Sequence, residues 1–260
     1  MAKIVTMGEI MLRLSTPNNE KFIQADEFDV NYGGGEANVA VSLANYGHDV
    51  QFVTAVPTLY FLKAATAHSP IGLAGSAMRA SNVVYDRAHS SISTATADEF
   101  NFDEIFADAD WFHFTGITPA VSDAAIELTE AALKAAKAHG VTVSVDLNFR
   151  KKLWSSEKAQ KVMTNLMQYV DVCIGNEEDA EKVLGFKPGN TDVTSGELEL
   201  AGYVDIFNQM ADKFGFKYII SSFVKATALP TMTGLLASWT DRLVNSTTPE
   251  STTSLQSLTV

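Results

Sequence analysis

Short apolar runs alternate with stretches of helical spacing along most of this chain, and that alternation limits the folds open to it. Trp111–Thr115, Val141–Asp146, Val170–Ile174 and Tyr218–Ser222 are short, largely apolar runs of five or six residues. Runs so short and so evenly apolar read as strands buried on both sides. Between and beside them, Asp123–His139, Ser156–Gln168, Glu177–Leu184 and Glu197–Phe214 have helical spacing. Nearer the start, Lys3–Met7 and Val50–Ala55 read as strands, and Glu36–Tyr46 as a helix stopped by Gly47. Strand–helix–strand repetition requires right-handed crossovers in one parallel sheet. The expected fold is therefore α/β: a doubly wound, mostly parallel sheet flanked by helices. A length of 260 residues suits one large domain, or one domain with a small appendage.

Three stretches break the pattern. Met11–Val30 alternates loosely around Pro17-Asn18-Asn19 and reads as strands leaving the main sheet as a small flap. Pro57–Gly75 gives no clear element, after which Asn82–Tyr85 resumes as a strand. From Lys225 onward the text loses its period, and Asn245–Ser254 is rich in Ser and Thr. Such a segment buries little apolar surface and is expected to form a loose tail. The expected division is a core over 1–223 and a tail over 224–260, with flap strands near 11–32 and 76–90.

The formal net charge of −12 argues against nucleic acid as a partner, because a phosphate backbone needs a basic face. No stretch approaches the ~20 apolar residues of a membrane-spanning helix, so a soluble, cytoplasmic protein is expected. The single cysteine, Cys173, lies in an apolar run and has no internal partner for a disulfide, which suits a reducing compartment. The five histidines show no ligand spacing.

Tyr32-Gly33-Gly34-Gly35-Glu36-Ala37-Asn38 precedes the first helix. Consecutive glycines permit close backbone approach and unusual dihedrals, and a helix start offers free N–H groups to a polar or anionic ligand. A tight strand-to-helix turn explains the triplet equally well. The spacing is not that of a dinucleotide fingerprint, and no Gly-Lys-Ser/Thr phosphate loop occurs.

An ordered set of motifs sharpens this reading. Gly8-Glu9, Gly33-Gly34-Gly35-Glu36-Ala37-Asn38, Tyr85-Asp86-Arg87, Asp146-Leu147-Asn148-Phe149-Arg150 with Leu153-Trp154, and Asn176-Glu177-Glu178-Asp179 follow one another. This set resembles the ribokinase-like (PfkB) sugar kinases, most closely those acting on 2-keto-3-deoxygluconate. The resemblance covers roughly 2–56 and 77–223. It implies a central sheet with a β-lid over the sugar, a lid that also forms a homodimer contact, and ATP-dependent phosphorylation of the 6-hydroxyl of an acid sugar.

The resemblance assigns residues as well. Gly33, Gly34 and Asn38 match the sugar-binding loop, where backbone N–H groups and an amide suit hydroxyls. Tyr85 and Arg87 match a lid pair that contacts substrate, and arginine grips a carboxylate bidentately. Asn148 and Arg150 follow a strand end, where ligand crevices lie in open α/β sheets. Arg150 suits either the sugar carboxylate or the transferring phosphoryl group. Asn176 and Ser222 are assigned to the nucleotide, and Asp179 to Mg²⁺, through a hard oxygen. Each assignment has a plainer alternative: a helix cap for Asn38, an exposed alternating strand for Tyr85 and Arg87, a loop turn for Asp146, and acids meeting a helix dipole for 177–179.

No catalytic base is assigned. In kinases of this kind a Gly-rich motif ending in Asp supplies it, and no Gly-x-Gly-Asp or Gly-Gly-Asp occurs in the 260 residues. The tail offers a reason. With one nucleotide restored after codon 223, compatible codons spell FRESDSASDNDWSACILDG, which resembles the text such kinases carry before that motif. Met232 and Trp239 each have one codon, ending in G, and each precedes Thr. Both junctions must therefore read GAC, Asp, in the shifted frame.

Overall fold

The computed structural model describes residues 1–57, 71–72, 83–84, 87, 89–187, 200–226, 232–242 and 250–259. Its strands are β1 (Lys3–Met7), β2 (Met11–Ser15), β3 (Asp29–Gly33), β4 (Asp49–Val53), β5 (Ile71–Gly72), β6 (Val83–Val84), β7 (Trp111–Thr115), β8 (Thr142–Asp146), β9 (Val172–Gly175), β10 (Tyr218–Ala226), β11 (Met232–Arg242) and β12 (Glu250–Thr259). The long helices are α1 (Gly35–Asn45), α2 (Asp123–Ala138), α3 (Ser156–Leu166) and α4 (Leu200–Phe214).

The main sheet runs β12-β11-β10-β9-β8-β7-β1-β4. Its six strands from β10 to β4 are parallel, and β11 and β12 add antiparallel at the far edge. This is the doubly wound architecture that the strand–helix alternation predicts. The apolar runs occupy the centre because neither of their faces meets water. Val5, Phe112, Phe114, Val143 and Val145 have no solvent exposure at all.

Helix α2 follows the same logic. Ser122 caps it, its hydroxyl accepting from the Ala125 N–H at 3.0 Å. Ala125, Leu128, Ala132, Leu133 and Ala136 then recur at helical spacing and are fully buried. At the opposite end of the strands from the site, Asp171 fastens three neighbours. It accepts from Val143 N–H at 2.9 Å, Lys137 at 2.9 Å and Lys217 at 3.0 Å. Burial works against the carboxylate, but these donors together hold its pKa below the usual value.

The flap is a second sheet, ordered β3-β2-β5-β6. Its strands β2 and β3 fall in the expected 11–32 stretch, β3 ending one residue beyond it. Strand β5, parallel to β2 through Leu14 and Ile71, lies inside the 57–75 stretch for which no element is legible in sequence. Residues 58–70 and 73–82 are outside the described set.

The chain beyond 224 also differs from expectation. Instead of a loose tail, 232–242 and 250–259 are strands paired along their whole length. Thr and Ser rows suit a pleated strand. An antiparallel ladder satisfies its backbone groups without an apolar period.

Candidate functional site

The connections diverge between β1 and β7. From β1 the chain travels to β4 on one side, then crosses to β7 on the other. At such a switch point the loops part and leave a crevice at the carboxyl ends of the strands. Five stretches of the sequence meet this edge: Gly8-Glu9 after β1, Gly33–Gly35 opening α1, Thr115-Gly116 at the end of β7, Asp146–Arg150 at the end of β8, and Asn176–Asp179 after β9.

Three of the glycines here permit close approach. A Cβ on Gly8 would lie 2.2 Å from the Glu36 carboxyl carbon, and one on Gly116 would lie 2.2 Å from the Leu147 carbonyl. Gly34 has φ +150° and would place a Cβ 2.2 Å from the Glu9 carbonyl. No other residue fits there without displacing the loop.

Glu36 fastens the loop. Its side chain is buried, and Oε1 accepts from Thr115 N–H at 3.1 Å, Thr115 Oγ1–H at 2.7 Å and Thr118 Oγ1–H at 2.6 Å. Its own carbonyl accepts from the Thr6 hydroxyl at 3.3 Å. Burial raises the Glu36 pKa, and the hydroxyl donors oppose the rise. The first turn of α1 is thereby tied to β1 and β7. That turn carries Asn38, whose N–H donates to Gly34 O at 2.9 Å and whose side chain is exposed. A Cβ on Gly33 would sit 3.7 Å from Asn38 Oδ1, so the amide lies beside the glycine loop.

Arg87 reaches the same place from the flap. Its Nε is 2.9 Å from Glu9 Oε2, with both side chains largely buried. The two atoms are close enough to attract but out of line for an N–H···O hydrogen bond. Nη2 lies 3.1 Å from Met11 Sδ. Tyr85 is outside the described residues.

At the next strand ends, Asn148 N–H donates to Asp146 Oδ1 at 3.1 Å, and Asn148 adopts φ +39°. Burial pushes the Asp146 pKa up to about 6, helped by the nearby Asp179 and by Glu36 and opposed by the Asn148 amide and Arg150. Arg150 is exposed, its Nη1 donating to Phe149 O at 3.0 Å. Asp179 is buried and occupied on both oxygens, Oδ1 accepting from Phe149 N–H at 2.8 Å and Oδ2 from Asn176 N–H at 3.1 Å. In return, Asn176 Oδ1 accepts from Asp179 N–H at 2.9 Å. Asp179 and Asn176 therefore act first as a clamp between the β8 and β9 loops. Ser222 lies in β10 opposite Leu236, one residue beyond the stretch that pairs with β9.

Among the described residues, no group of three or more His, Cys, Asp or Glu could hold a metal ion. An all-protein cage is therefore not formed by them. The arrangement suits Mg²⁺ held through one or two carboxylates plus phosphate oxygens, since Asp146 and Asp179 repel each other and a cation would relieve that repulsion. Buried His113, its pKa lowered to about 4 by burial, pairs with Ser144 Oγ at 2.8 Å. Burial pushes the Cys173 thiol up. Cys173 lines a small cavity with Leu147, Gly175 and Asn176. No helix among the described residues is long and apolar enough to cross a membrane.

Glu9, Glu36, Thr115 and Thr118 are the site residues that sequence reasoning does not assign. Gly8, Glu9 and Glu36 stand within conspicuous motifs, but no spacing connects residues 8, 36 and 115.

Fold and crevice together define a sugar kinase of the ribokinase-like class. The pfkB family carbohydrate kinase profile matches residues 1–59 and 65–197, and the chain belongs to that family. It is 34% identical over 223 residues to a 2-dehydro-3-deoxygalactonokinase of Haloferax volcanii, spanning 78% of this chain and 69% of that one. The crystal structure of 2-dehydro-3-deoxygluconokinase from Thermotoga maritima matches with a TM-score of 0.79 and 38% identity, covering 100% of this chain and 82% of that one. A ribokinase II candidate from E. coli, solved in complex with ATP and Mg²⁺, shares the fold with a TM-score of 0.66 and 14% identity, over 90% of this chain and 75% of that one.

Proposed function

We propose that this chain is a kinase for a 2-keto-3-deoxy sugar acid, 2-keto-3-deoxygluconate or its C4 epimer, transferring the γ-phosphoryl group of ATP to the 6-hydroxyl. The observation that carries this reading is the crevice at the β1/β7 switch point, where the Gly34 loop is locked by Glu36 and an arginine stands beside it. Backbone N–H groups of Gly33 and Gly34 and the exposed Asn38 amide suit sugar hydroxyls, and Tyr85 and Asn148 are assigned to the same ligand. Arg87 suits the sugar carboxylate, and exposed Arg150 suits either that group or the transferring phosphoryl. The sugar acids named for the Haloferax and Thermotoga relatives support this substrate class.

Asn176 and Ser222 are assigned to the nucleotide, and Asp146 with Asp179 to the Mg²⁺ edge. Mg²⁺, when bound with ATP, supplies neutralisation of phosphate charge. This chain's contribution is position: the Asp179 clamp sets the β8 and β9 loops so that Asp146 and Arg150 face one crevice. A homodimer through the flap is supported by the exposed apolar side chains on β3, with Val30 56% and Tyr32 67% exposed. A cytoplasmic setting suits the lone buried thiol.

A second reading has its own observation. No Gly-x-Gly-Asp occurs in the 260 residues, so nothing in them matches the motif that takes the hydroxyl proton in such kinases. On this reading the chain binds acid sugar without turning it over. A coupled ATP-consumption assay with 2-keto-3-deoxygluconate, run beside calorimetric titration of the sugar, separates the two. Turnover sustains the kinase and removes the second reading. Binding without turnover does the reverse, and absence of both overturns the assignment of the crevice.

A further inference from the structure

Glu9 and Arg87 form an internal carboxylate–guanidinium pair inside the very crevice assigned to an acid sugar. The pair is enclosed, with side-chain exposures of 8% and 12%. Its geometry is poor: the atoms are 2.9 Å apart, yet the N–H is out of line. Beside it the buried Ser90 hydroxyl also favours the ionised form of Glu9. The carbonyl of Glu9 touches the Gly34 turn, so the pair and the glycine loop share a wall.

A second carboxylate arriving at Arg87 would face an uncompensated negative charge on Glu9. One guanidinium cannot neutralise two buried carboxylates, and like charges held close together do not both stay ionised. The charged groups that act on Glu9 are Arg87 from the flap return and Glu36 from α1, and the latter adds to the repulsion.

Resting on the acid-sugar reading above, we infer that Glu9 makes sugar-acid binding proton-linked: the ligand carboxylate takes over Arg87 while Glu9 takes up one proton. Atoms and charge balance in this exchange. The ion pair Glu9–Arg87 becomes a ligand–Arg87 pair plus a neutral Glu9 carboxyl, with the proton drawn from solvent, and the buried net charge is unchanged. Glu9 is thus a positioning and specificity residue, not a catalytic one. Burial already raises its pKa, with Arg87 holding it down. Transfer of Arg87 to the ligand removes that restraint and moves the group further toward its neutral form.

Proton linkage gives a direct readout. Titration of the full chain with 2-keto-3-deoxygluconate, in buffers of different ionisation enthalpy, should report uptake of up to one proton per ligand. Affinity should rise as pH falls, by up to about tenfold per pH unit between the free and bound pKa values of Glu9. Fructose, which lacks the carboxylate, should bind without proton uptake. Glu9→Gln should abolish both the uptake and the pH dependence. Acid-sugar binding with no proton uptake by the unmodified chain overturns the linkage while leaving the acid-sugar reading intact. Failure of 2-keto-3-deoxygluconate to bind overturns the crevice assignment itself, and this inference with it. The unmodified chain decides the question even if Glu9→Gln fails to fold.

Discussion

Replacing Asp146 with Asn isolates the electrostatic cost of the site. Asp146 stands partly buried beside Asp179, with Glu36 close enough to add to the repulsion, and its pKa is raised from 3.8 to about 6. A rise of that size corresponds to about 3 kcal/mol between the two protonation states. Asp146 is partly exposed, so solvent screening reduces the usable figure to about 1–2 kcal/mol. Because the folded-state value lies above the unfolded one, the stabilising contribution is complete below about pH 3.8. It is lost as pH rises through about 6. Asn keeps the shape and an oxygen to accept from Asn148 N–H, but it does not titrate. Urea unfolding of both proteins from pH 4 to pH 8 should show near-equal stability at the acid end. Above pH 7, Asp146→Asn should be the more stable by about 1–2 kcal/mol. A difference that stays constant across the range would refute the electrostatic account. Adding Mg²⁺ and ATP should close the gap by stabilising the unmodified chain alone.

Other consequences follow from the same contacts. Glu36→Ala leaves Thr115 N–H and the Thr115 and Thr118 hydroxyls without their acceptor. It should cost about 2–4 kcal/mol in denaturant unfolding and weaken sugar binding more than nucleotide binding. Gly34→Ala forces a Cβ onto the Glu9 carbonyl and should reduce acid-sugar affinity at least tenfold by calorimetry, while circular dichroism leaves the helix content unchanged. Phe112→Ala, in the fully buried centre of β7, should destabilise by about 3–5 kcal/mol. The codons actually used beyond Phe223 should spell kinase-like text in the shifted frame, and sequencing the coding DNA checks this; unrelated text there would sink the frame reading.

How much of this was legible in the sequence depends on whether the signal was local. The six parallel strands announced themselves because strands buried on both faces are short and largely apolar, as Trp111–Thr115 and its neighbours in the sheet are. Helix α2 was equally plain, with a Ser cap, an apolar stripe and a glycine stop. The Gly33–Asn38 and Asp146–Arg150 motifs pointed to strand ends, where ligands bind in such sheets. Strand β5 was not legible, since two residues carry no period. Strands β11 and β12 were missed because β11 mixes apolar and polar residues without a period and β12 is mostly Ser and Thr.

Sequence alone determined the class of fold and the stretches of chain that meet at its ligand edge, because burial on two faces and tight turns are written residue by residue. Tertiary structure alone decided which groups face one another there. Glu36 reaches Thr115 and Thr118 across about eighty residues, Glu9 meets Arg87 across the flap, and Asp179 proves to be a clamp with both oxygens taken. Pairings of that kind depend on the register of parallel strands and the switch in their order, and no local spacing encodes either.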